Sequence, residues 1–302
     1  MKNIMYHYIR PNHDDYKYFN NLDVDTFRRQ LDYFEKEFGF IAKEDYIQAI
    51  KAKKNIDGVV LSFDDGLKDH YIYAAAELNE RGLWGSFYIP TGIYQNSNKL
   101  LSVHRVHYLN GKYGSTKILK DALTLIDQSM LENEKINEFD KDIYQFTEYE
   151  EDAKELRRLF NYFLKYEYRD LVLDKLMLKY FDESKLHKKV YLSLSNIKEM
   201  HDDGHIIGSH TVSHPVLSRL TYIEQMKEIH DSFNFLSEIC NMEFKSFCYP
   251  YGYKSSYNEI TLQALSELKI DEAVIFDNKT QGDINDRFQL SRIDCNQFME
   301  IK

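Results

Sequence analysis

The stretch VVLSFDDG, residues 59–66, decides the fold. Its apolar first half is typical of a strand that is buried on both faces, and the strand ends abruptly at Asp64 and Asp65. Adjacent carboxylates in such a place lose hydration and repel each other, so we expect a cation or a chemical role to offset that cost. Gly66 permits a sharp turn that brings both carboxylates to one cavity. The alternative is that one carboxylate only caps the helix expected over 68–81.

Strands and helices alternate on both sides of this stretch. Further strands are predicted at 1–9, 84–89, 206–209, 244–249, 272–276 and 288–293, and helices at 25–38 with Asp25 as N-cap, 43–53, 68–81, 195–200, 222–239 and 258–268. A strand, a helix and a second strand at this spacing form the βαβ unit of a parallel sheet. The pattern predicts an α/β fold with about seven strands, a barrel or distorted barrel.

The block from about 100 to 190 interrupts this alternation. Apolar spacing predicts helices at 118–126 and 156–164, and the charged run 132–155 between them is typical of a solvated face or a linker. No Gly-Pro or Ser-rich segment bounds the block. We therefore expect a single domain over 1–302, with a helical insertion at about 100–190 that shapes a substrate cleft.

Composition excludes several classes of function. The formal charge of −10 argues against a nucleic-acid partner, because neutralising phosphates requires a basic face. The apolar share of 43% and the charged share of 29% are those of a soluble globular protein, and no stretch is long enough to span a bilayer. The first residues, MKNIMYHYIRP, are too polar for a signal peptide, and three widely spaced cysteines do not form a disulfide framework. We expect a cytoplasmic protein.

A pair of histidines suggests what the carboxylates bind. His210 and His214 follow the strand 206–209 and are four residues apart, so on one helical turn both imidazoles would reach one cation, with Asp65 as a third, oxygen ligand. Two histidines and a carboxylate are typical of a catalytic divalent-metal site. His201 and His205 have the same spacing but precede the strand, so we interpret them as surface or core polar groups.

Three motifs resemble those of a known family. SFDDG at 62–66, HTVSH at 210–214 and YPYG at 249–252 resemble the first three motifs of the polysaccharide deacetylase family (NodB homology, carbohydrate esterase family 4), in the family's order. The segment GHIIGS at 204–209 is similar to the family's lead-in to its second motif. The motifs cover the barrel halves and not the helical block.

The resemblance implies a metal-dependent N-deacetylase with a distorted (β/α)7 barrel. By the same resemblance Asp64 is the general base, and Asp65, His210 and His214 are the metal ligands. The backbone N–H of Tyr251 would donate to the oxyanion. Chemically, the metal would polarise the amide carbonyl and its bound water while the base accepts the proton.

The chain departs from the family at two places. Cys248 stands where the third motif often has an arginine that orients the base, and the late Leu-x-His motif with the general acid is missing. Arg292 and Asp294, at the end of the last predicted strand, are candidates to replace the arginine by position.

His7 is the candidate general acid. Tyr6-His7 closes the first strand, and the chain resembles a permuted branch of the family, the biofilm poly-N-acetylglucosamine deacetylases, in which a Tyr-His near the start supplies the acid. The pKa of a histidine suits that role. The alternative is a core histidine bonded to the backbone. His104 and His107 either line the groove or pack within a helix.

These observations predict a metal-dependent hydrolase that removes an N-acetyl group from an amino sugar. The metal is expected to be zinc, with cobalt, nickel or iron as alternatives, because a mixed nitrogen and oxygen site accepts all of them. The substrate is expected to be an N-acetylated polysaccharide or, in the cytoplasm, its nucleotide- or lipid-linked precursor. The alternatives are a deformylase of a formamido sugar and a non-catalytic carbohydrate-binding protein.

Overall fold

Seven parallel strands form a closed barrel in the computed structural model, which describes residues 1–95, 98–132, 150–277 and 284–299. The strands are β1 (Lys2–Tyr6), β2 (Val59–Phe63), β3 (Ser86–Ile89), β4 (Ile206–Ser209), β5 (Ser246–Cys248), β6 (Glu272–Phe276) and β7 (Leu290–Asp294). They follow one another around the barrel in sequence order, and helices surround them. The predicted (β/α)7 barrel is therefore confirmed.

The register of the strands determines which residues lie together at the carboxyl ends of the barrel strands. β2 pairs with β1 so that Phe63 lies opposite Tyr6, and β7 closes the barrel on β1 with Asp294 opposite Met5. The residues that follow β1 and β2 and those that end β7 thus lie side by side at the carboxyl ends of the strands. Enzymes with parallel barrels carry their active sites at that end.

Helices connect the strands of the barrel. They are α1 (Val24–Glu37), α2 (Lys43–Ala52), a π-helical turn (His70–Ala75) that continues into α3 (Ala76–Glu80), α4 (Gly92–Gln95), α10 (Leu194–Asp202), α11 (Tyr222–Ser237) and α12 (Glu259–Glu267). The N-cap prediction for α1 was wrong by two residues. Asp23 is the cap, since its side chain accepts a hydrogen bond from the backbone N–H of Asp25. Asp25 lies in the first turn, where the helix dipole also favours a carboxylate.

Apolar packing between strands and helices fixes the barrel. Phe63 and Phe87, from β2 and β3, stack with their ring centroids 4.6 Å apart, and Phe27 of α1 packs edge-on against Phe63. All three side chains are fully buried. The central strand is thus buried on both faces, as its sequence predicts.

A polar group is buried at the beginning of the strands, away from their carboxyl ends. Glu272, the first residue of β6, accepts hydrogen bonds from the hydroxyls of Tyr46 and Ser246, the latter at 2.8 Å. Burial raises the pKa of the Glu272 carboxyl more than these hydrogen bonds lower it, and the pKa reaches about 7.

A second compact unit comprises 12–20 and the residues of 96–189 that the structure describes. Its helices are α5 (Ser102–Tyr113), α6 (Ser115–Leu123), α7 (Glu151–Arg158), α8 (Tyr166–Tyr180) and α9 (Glu183–Val190). Arg105 pairs inside the unit with Glu183 at 2.6 Å and with Asp174 at 3.0 Å. Most of the charged run 132–155 lies outside the described residues.

The prediction of a single domain over 1–302, with an insertion at about 100–190, stays a prediction. None of the helices in the described ranges is long and apolar enough to cross a membrane.

Candidate active site

A left-handed turn presents the two carboxylates that follow β2. Asp65 and Gly66 have φ angles of 81° and 60°. This conformation is costly for a residue with a side chain such as Asp65. A side chain at Gly66 would also approach Ile89 and Pro90 to 3.3 Å, so the turn requires glycine there. Asp64 and Asp65 are each only 2% exposed, which confirms that both carboxylates are buried together.

Asp65 lies between the two histidines of the second motif. Its Oδ1 is 3.5 Å from Nε2 of His210 and 3.5 Å from Nε2 of His214. The ligand atoms of the three side chains all lie within 4.8 Å of one another, and all three side chains are buried. The structure therefore brings together the three predicted metal ligands.

The segment 210–214 is not helical, and the predicted helical turn is wrong. Thr211 and His214 have φ angles of 66° and 56°, so two left-handed residues fold the segment into a loop. The spacing of four residues still brings the imidazoles together because the loop doubles back, with the N–H of His214 donating to Oγ1 of Thr211. The ring centroids of His210 and His214 are 4.7 Å apart.

Glu228 of α11 holds this loop from outside. Its Oε2 accepts hydrogen bonds of 2.8 Å from the backbone N–H groups of Val212 and Ser213, and its Oε1 accepts one of 2.7 Å from the Ser213 hydroxyl. Charge-assisted bonds of this kind are stronger than neutral ones. They stabilise a backbone conformation that is unfavourable by itself. Nothing in the local sequence around Glu228 indicates this role, because the loop that it binds lies 15 residues or more away in the chain.

The donor set fits a divalent cation. Nδ1 of His210 lies 2.8 Å from the carbonyl oxygen of Cys248, which can only accept, so Nδ1 carries a hydrogen and Nε2 is the nitrogen that faces Asp65 and can bind a metal ion once it loses its proton. A metal-ligating histidine usually donates its other ring N–H to a carbonyl or carboxylate in this way, which fixes its tautomer. Burial lowers the pKa of His210, but Cys248 and Asp65 outweigh burial and hold it well above its ordinary value. A proton and a metal ion therefore compete for Nε2.

Arg292, the third residue of β7, binds the carboxylate of Asp64. The guanidinium makes two parallel hydrogen bonds to the carboxylate, NH1 to Oδ1 at 2.7 Å and NH2 to Oδ2 at 2.8 Å. Burial raises the pKa of Asp64, but the charge and hydrogen bonds of Arg292 lower it further, and the pKa falls to about 2. Because both oxygens face Arg292, Asp64 does not act as a helix cap.

Cys248 stands beside this pair. Its Sγ is 3.1 Å from NH2 of Arg292 and 3.5 Å from Oδ2 of Asp64, and burial raises the pKa of the thiol. The guanidinium thus reaches Asp64 from β7, next to the position where the family often has an arginine. Asp294 does not share this role, since its carboxylate accepts a hydrogen bond from the backbone N–H of Asn296.

His7 lies at the open side of Asp64. Its Nε2 is 3.8 Å from Oδ2 of Asp64, and its side chain is 40% exposed, in contrast to the 3% exposure of the Asp64 side chain. The alternative of a core-facing histidine is therefore wrong. The ring of Tyr251 packs against that of His214, with the ring centroids 4.9 Å apart. Its φ of 65° makes it another left-handed residue of the site.

The remaining histidines lie elsewhere. His205 is buried at the start of β4, where its Nδ1 accepts a hydrogen bond from the N–H of Gly85. This position agrees with the interpretation of His205 as a core polar group. His104 and His107 lie on α5 of the second unit, and the His104 side chain is fully buried. A buried histidine that sequence reasoning did not single out, His70, contacts the backbone of His7.

The fold and the site together define a class of protein: a parallel barrel that carries buried aspartates and histidines at the carboxyl ends of its strands. Residues 178–273 match the family model named polysaccharide deacetylase. This segment contains the second and third motifs, while the first motif precedes it. This match agrees with the resemblance that the motifs carry, and it supports carbohydrate deacetylation as the class of activity. A comparison with curated protein sequences gives no match.

Solved structures share the fold over nearly the whole chain. The deacetylase PplD of Streptococcus pyogenes, solved in complex with acetate, is 19% identical with a TM-score of 0.61 and covers 99% of this chain and 98% of its own. IcaB from Ammonifex degensii is 16% identical with a TM-score of 0.56, over 97% and 90%. The BpsB deacetylase domain from Bordetella bronchiseptica is 10% identical with a TM-score of 0.52, over 97% and 95%. At these identities the likeness establishes the fold.

Proposed function

We propose that this chain is a divalent-metal-dependent hydrolase that removes the N-acetyl group of an amino sugar. One observation carries the proposal: a carboxylate held by Arg292, Asp64, lies directly beside a second carboxylate that faces two histidines. A sugar-binding protein has no use for a second buried carboxylate fixed in this way, whereas a hydrolase needs a proton acceptor next to its metal ligands.

Asp65, His210 and His214 would hold the metal, zinc in this proposal and cobalt, nickel or iron as alternatives. When bound, the ion supplies a Lewis acid that polarises the amide carbonyl and makes water more acidic. The three side chains leave further coordination positions open, as catalytic sites require.

Asp64 would accept the proton of the attacking water. Its pKa of about 2 keeps it ionised at neutral pH, which a proton acceptor must be. Arg292 fixes the orientation of the carboxylate, and His7 Nε2 at 3.8 Å faces the same oxygen. The acceptor and the expected proton donor thus lie side by side.

His7 would donate a proton to the leaving amine, and the backbone N–H of Tyr251 would donate a hydrogen bond to the developing oxyanion. The water oxygen forms the new bond to the acetyl carbon and the carbon–nitrogen bond breaks. The nitrogen takes the proton from His7. The products are acetate and a free amino sugar.

The substrate would be an N-acetylated carbohydrate. The acetate in the PplD complex is the acid that N-deacetylation releases, which favours an acetyl over a formyl group. All three cysteines, Cys240, Cys248 and Cys295, are free and buried thiols, which suits the reducing cytoplasm. A nucleotide- or lipid-linked precursor of a polysaccharide is therefore the proposed form of the substrate.

A substrate panel tests the proposal. Zinc-loaded protein is incubated with N-acetylglucosamine oligosaccharides, UDP-N-acetylglucosamine, and N-formyl analogues of both, and acetate and formate are quantified. Acetate release by the wild type and its loss in Asp64→Asn support an N-deacetylase. Formate release alone would establish a deformylase instead. Tight binding of an oligosaccharide with no release of either acid would indicate a binding protein.

A further inference from the structure

His70 is a buried histidine outside the metal-ligand set and the acid–base pair. It begins the π-helical turn that follows the Asp64-Asp65-Gly66 turn, and its side chain is fully buried. Its ring packs against Phe63 and Phe87 at centroid distances of 5.6 and 6.0 Å. Its Nε2 lies 2.8 Å from the backbone carbonyl oxygen of His7.

The hydrogen bond to His7 defines the tautomer of His70. Burial lowers the pKa of His70 to about 4, so the imidazole is neutral at neutral pH and carries one hydrogen. A carbonyl oxygen only accepts, so Nε2 carries that hydrogen. Within the part of the chain that the structure describes, the buried Nδ1 has no hydrogen-bond partner.

This arrangement is unfavourable for packing alone. A buried acceptor without a partner is destabilising, whereas methionine or leucine would fill the space between Phe63 and Phe87 without that loss. Among the residues that the structure describes, the one hydrogen bond of the His70 ring is to the backbone of the expected general acid. The contact that justifies a histidine here is therefore the one to His7.

The His7 side chain depends on such a contact for its direction. It is 40% exposed, so packing restrains it less than it restrains a buried side chain, and the position of the His7 backbone has a larger part in setting where the imidazole lies. Two further bonds tie the same segment to the residues around Asp64. The N–H of Asp64 donates to the carbonyl of Tyr6 at 3.0 Å, and Nε of Arg10 donates to Asp69 at 2.5 Å.

We propose that His70 is a positioning residue that sets the distance between the expected proton donor His7 and the proton acceptor Asp64. The inference rests on the proposed function. Because Asp64 and His70 both lie on the short segment 64–70 that follows β2, this one segment carries both the acceptor and the group that orients the donor.

Two variants and two substrates test this role. His70→Met removes the donor and fills the cavity, and His70→Gln keeps an N–H near the position of Nε2. The first substrate is an N-acetylglucosamine oligosaccharide, whose amine must be protonated to leave. The second is 4-nitrophenyl acetate, whose phenolate leaves without a proton. Asp64→Asn serves as a control that should lose both activities if both reactions use one site.

The inference predicts a selective loss. In His70→Met, kcat for the amide falls about 10–100-fold with KM within about twofold, because a misplaced donor costs rate and not binding. Ester hydrolysis stays within about twofold, and His70→Gln recovers amide hydrolysis to within about threefold of the wild type. Thermal midpoints should be unchanged or higher in His70→Met, since the buried acceptor is gone.

Three results would overturn the inference while the wild type remains active. They are an equal fall of amide and ester hydrolysis in His70→Met, no fall of either, and a His70→Gln variant as impaired on the amide as His70→Met. A wild type that releases no acetate from any oligosaccharide would instead overturn the proposed function, and this inference with it.

Discussion

Arg292 binds the carboxylate of Asp64 in a bidentate manner although the two residues are 228 positions apart, with NH1–Oδ1 at 2.7 Å and NH2–Oδ2 at 2.8 Å. Both side chains are almost completely buried, at 1% and 3% exposure. The planar fork of an arginine matches a carboxylate in a way that lysine cannot. The pair closes the site between the second and the last strand of the barrel.

Replacing Arg292 should therefore affect stability and activity together. In Arg292→Met the buried Asp64 loses its partner, and we expect the free energy of unfolding to fall by about 3–5 kcal/mol. Loss of orientation should lower kcat for amide hydrolysis about 100-fold. Urea unfolding and acetate release measure the two effects.

The double variant Asp64→Asn with Arg292→Met is the matched control. It removes the charge that Arg292→Met leaves unpaired, so much of the lost stability should return while activity stays absent. A double variant no more stable than Arg292→Met would contradict the unpaired Asp64 charge as the cause of the lost stability.

Glu228→Gln should weaken metal binding without unfolding the protein. The amide cannot accept the three hydrogen bonds that hold 212 and 213 as the carboxylate does, so His214 would be less well placed. Loss of such an outer contact typically costs about 10–100-fold in metal affinity, measured here by titration with zinc. Glu238→Gln, at the exposed end of the same helix, is the control. Equal affinity in both variants would contradict the assigned role of Glu228.

The raised pKa of the Glu272 carboxyl predicts that the stability of the protein depends on pH. Its pKa of about 7 in the folded protein exceeds its ordinary value of 4.5. Between those values the folded state binds the proton and the unfolded state does not, so stability falls as the pH rises through this window. Over this window the contribution of Glu272 to the free energy of unfolding falls by about 3 kcal/mol.

Urea unfolding of the wild type and Glu272→Gln at pH 4.5, 6 and 7.5 measures this slope. The variant cannot titrate at this position. The difference in free energy of unfolding between the wild type and the variant should therefore shrink as the pH rises. A constant difference across the range would refute a raised pKa for Glu272.

Tyr251 is expected to act through its backbone. In Tyr251→Gly the N–H remains and glycine accepts the φ of 65° readily, so kcat should stay within about tenfold of the wild type despite the loss of packing on His214. Tyr251→Phe should be nearly unchanged. A loss of 1000-fold or more in either variant would assign the chemistry to the phenol.

The sequence predicts the barrel well because most of its strands and helices can be recognised from their own local sequence patterns. The run 59–63 and its Asp-Asp-Gly end identify the central strand, and the ends of the predicted strands differ from the observed ones by only a few residues. The spacing of His210 and His214 predicts that both imidazoles bind the same cation. It does not predict the loop between them, because left-handed residues such as Thr211 have no sequence signal.

Contacts between distant segments are what the sequence does not show. Arg292 is a candidate only by its place at the end of a strand, and the closure of β7 on β1 is what brings it to Asp64. The sequence around His70 predicts only that it lies in a helix. No feature of that sequence indicates that its ring contacts the backbone of His7. The segment 12–20 belongs to the second unit although more than 70 residues separate it from the rest of that unit.

The most direct test of the account compares wild type and Asp64→Asn after both are loaded with zinc, with metal content and acetate release measured on the same samples. We expect about one zinc per chain in both proteins and acetate from an N-acetylglucosamine oligosaccharide with the wild type only, because in the proposed mechanism Asp64 accepts the proton and Asp65 binds the metal. Equal acetate release by both proteins, or a wild type that retains no metal, would contradict it.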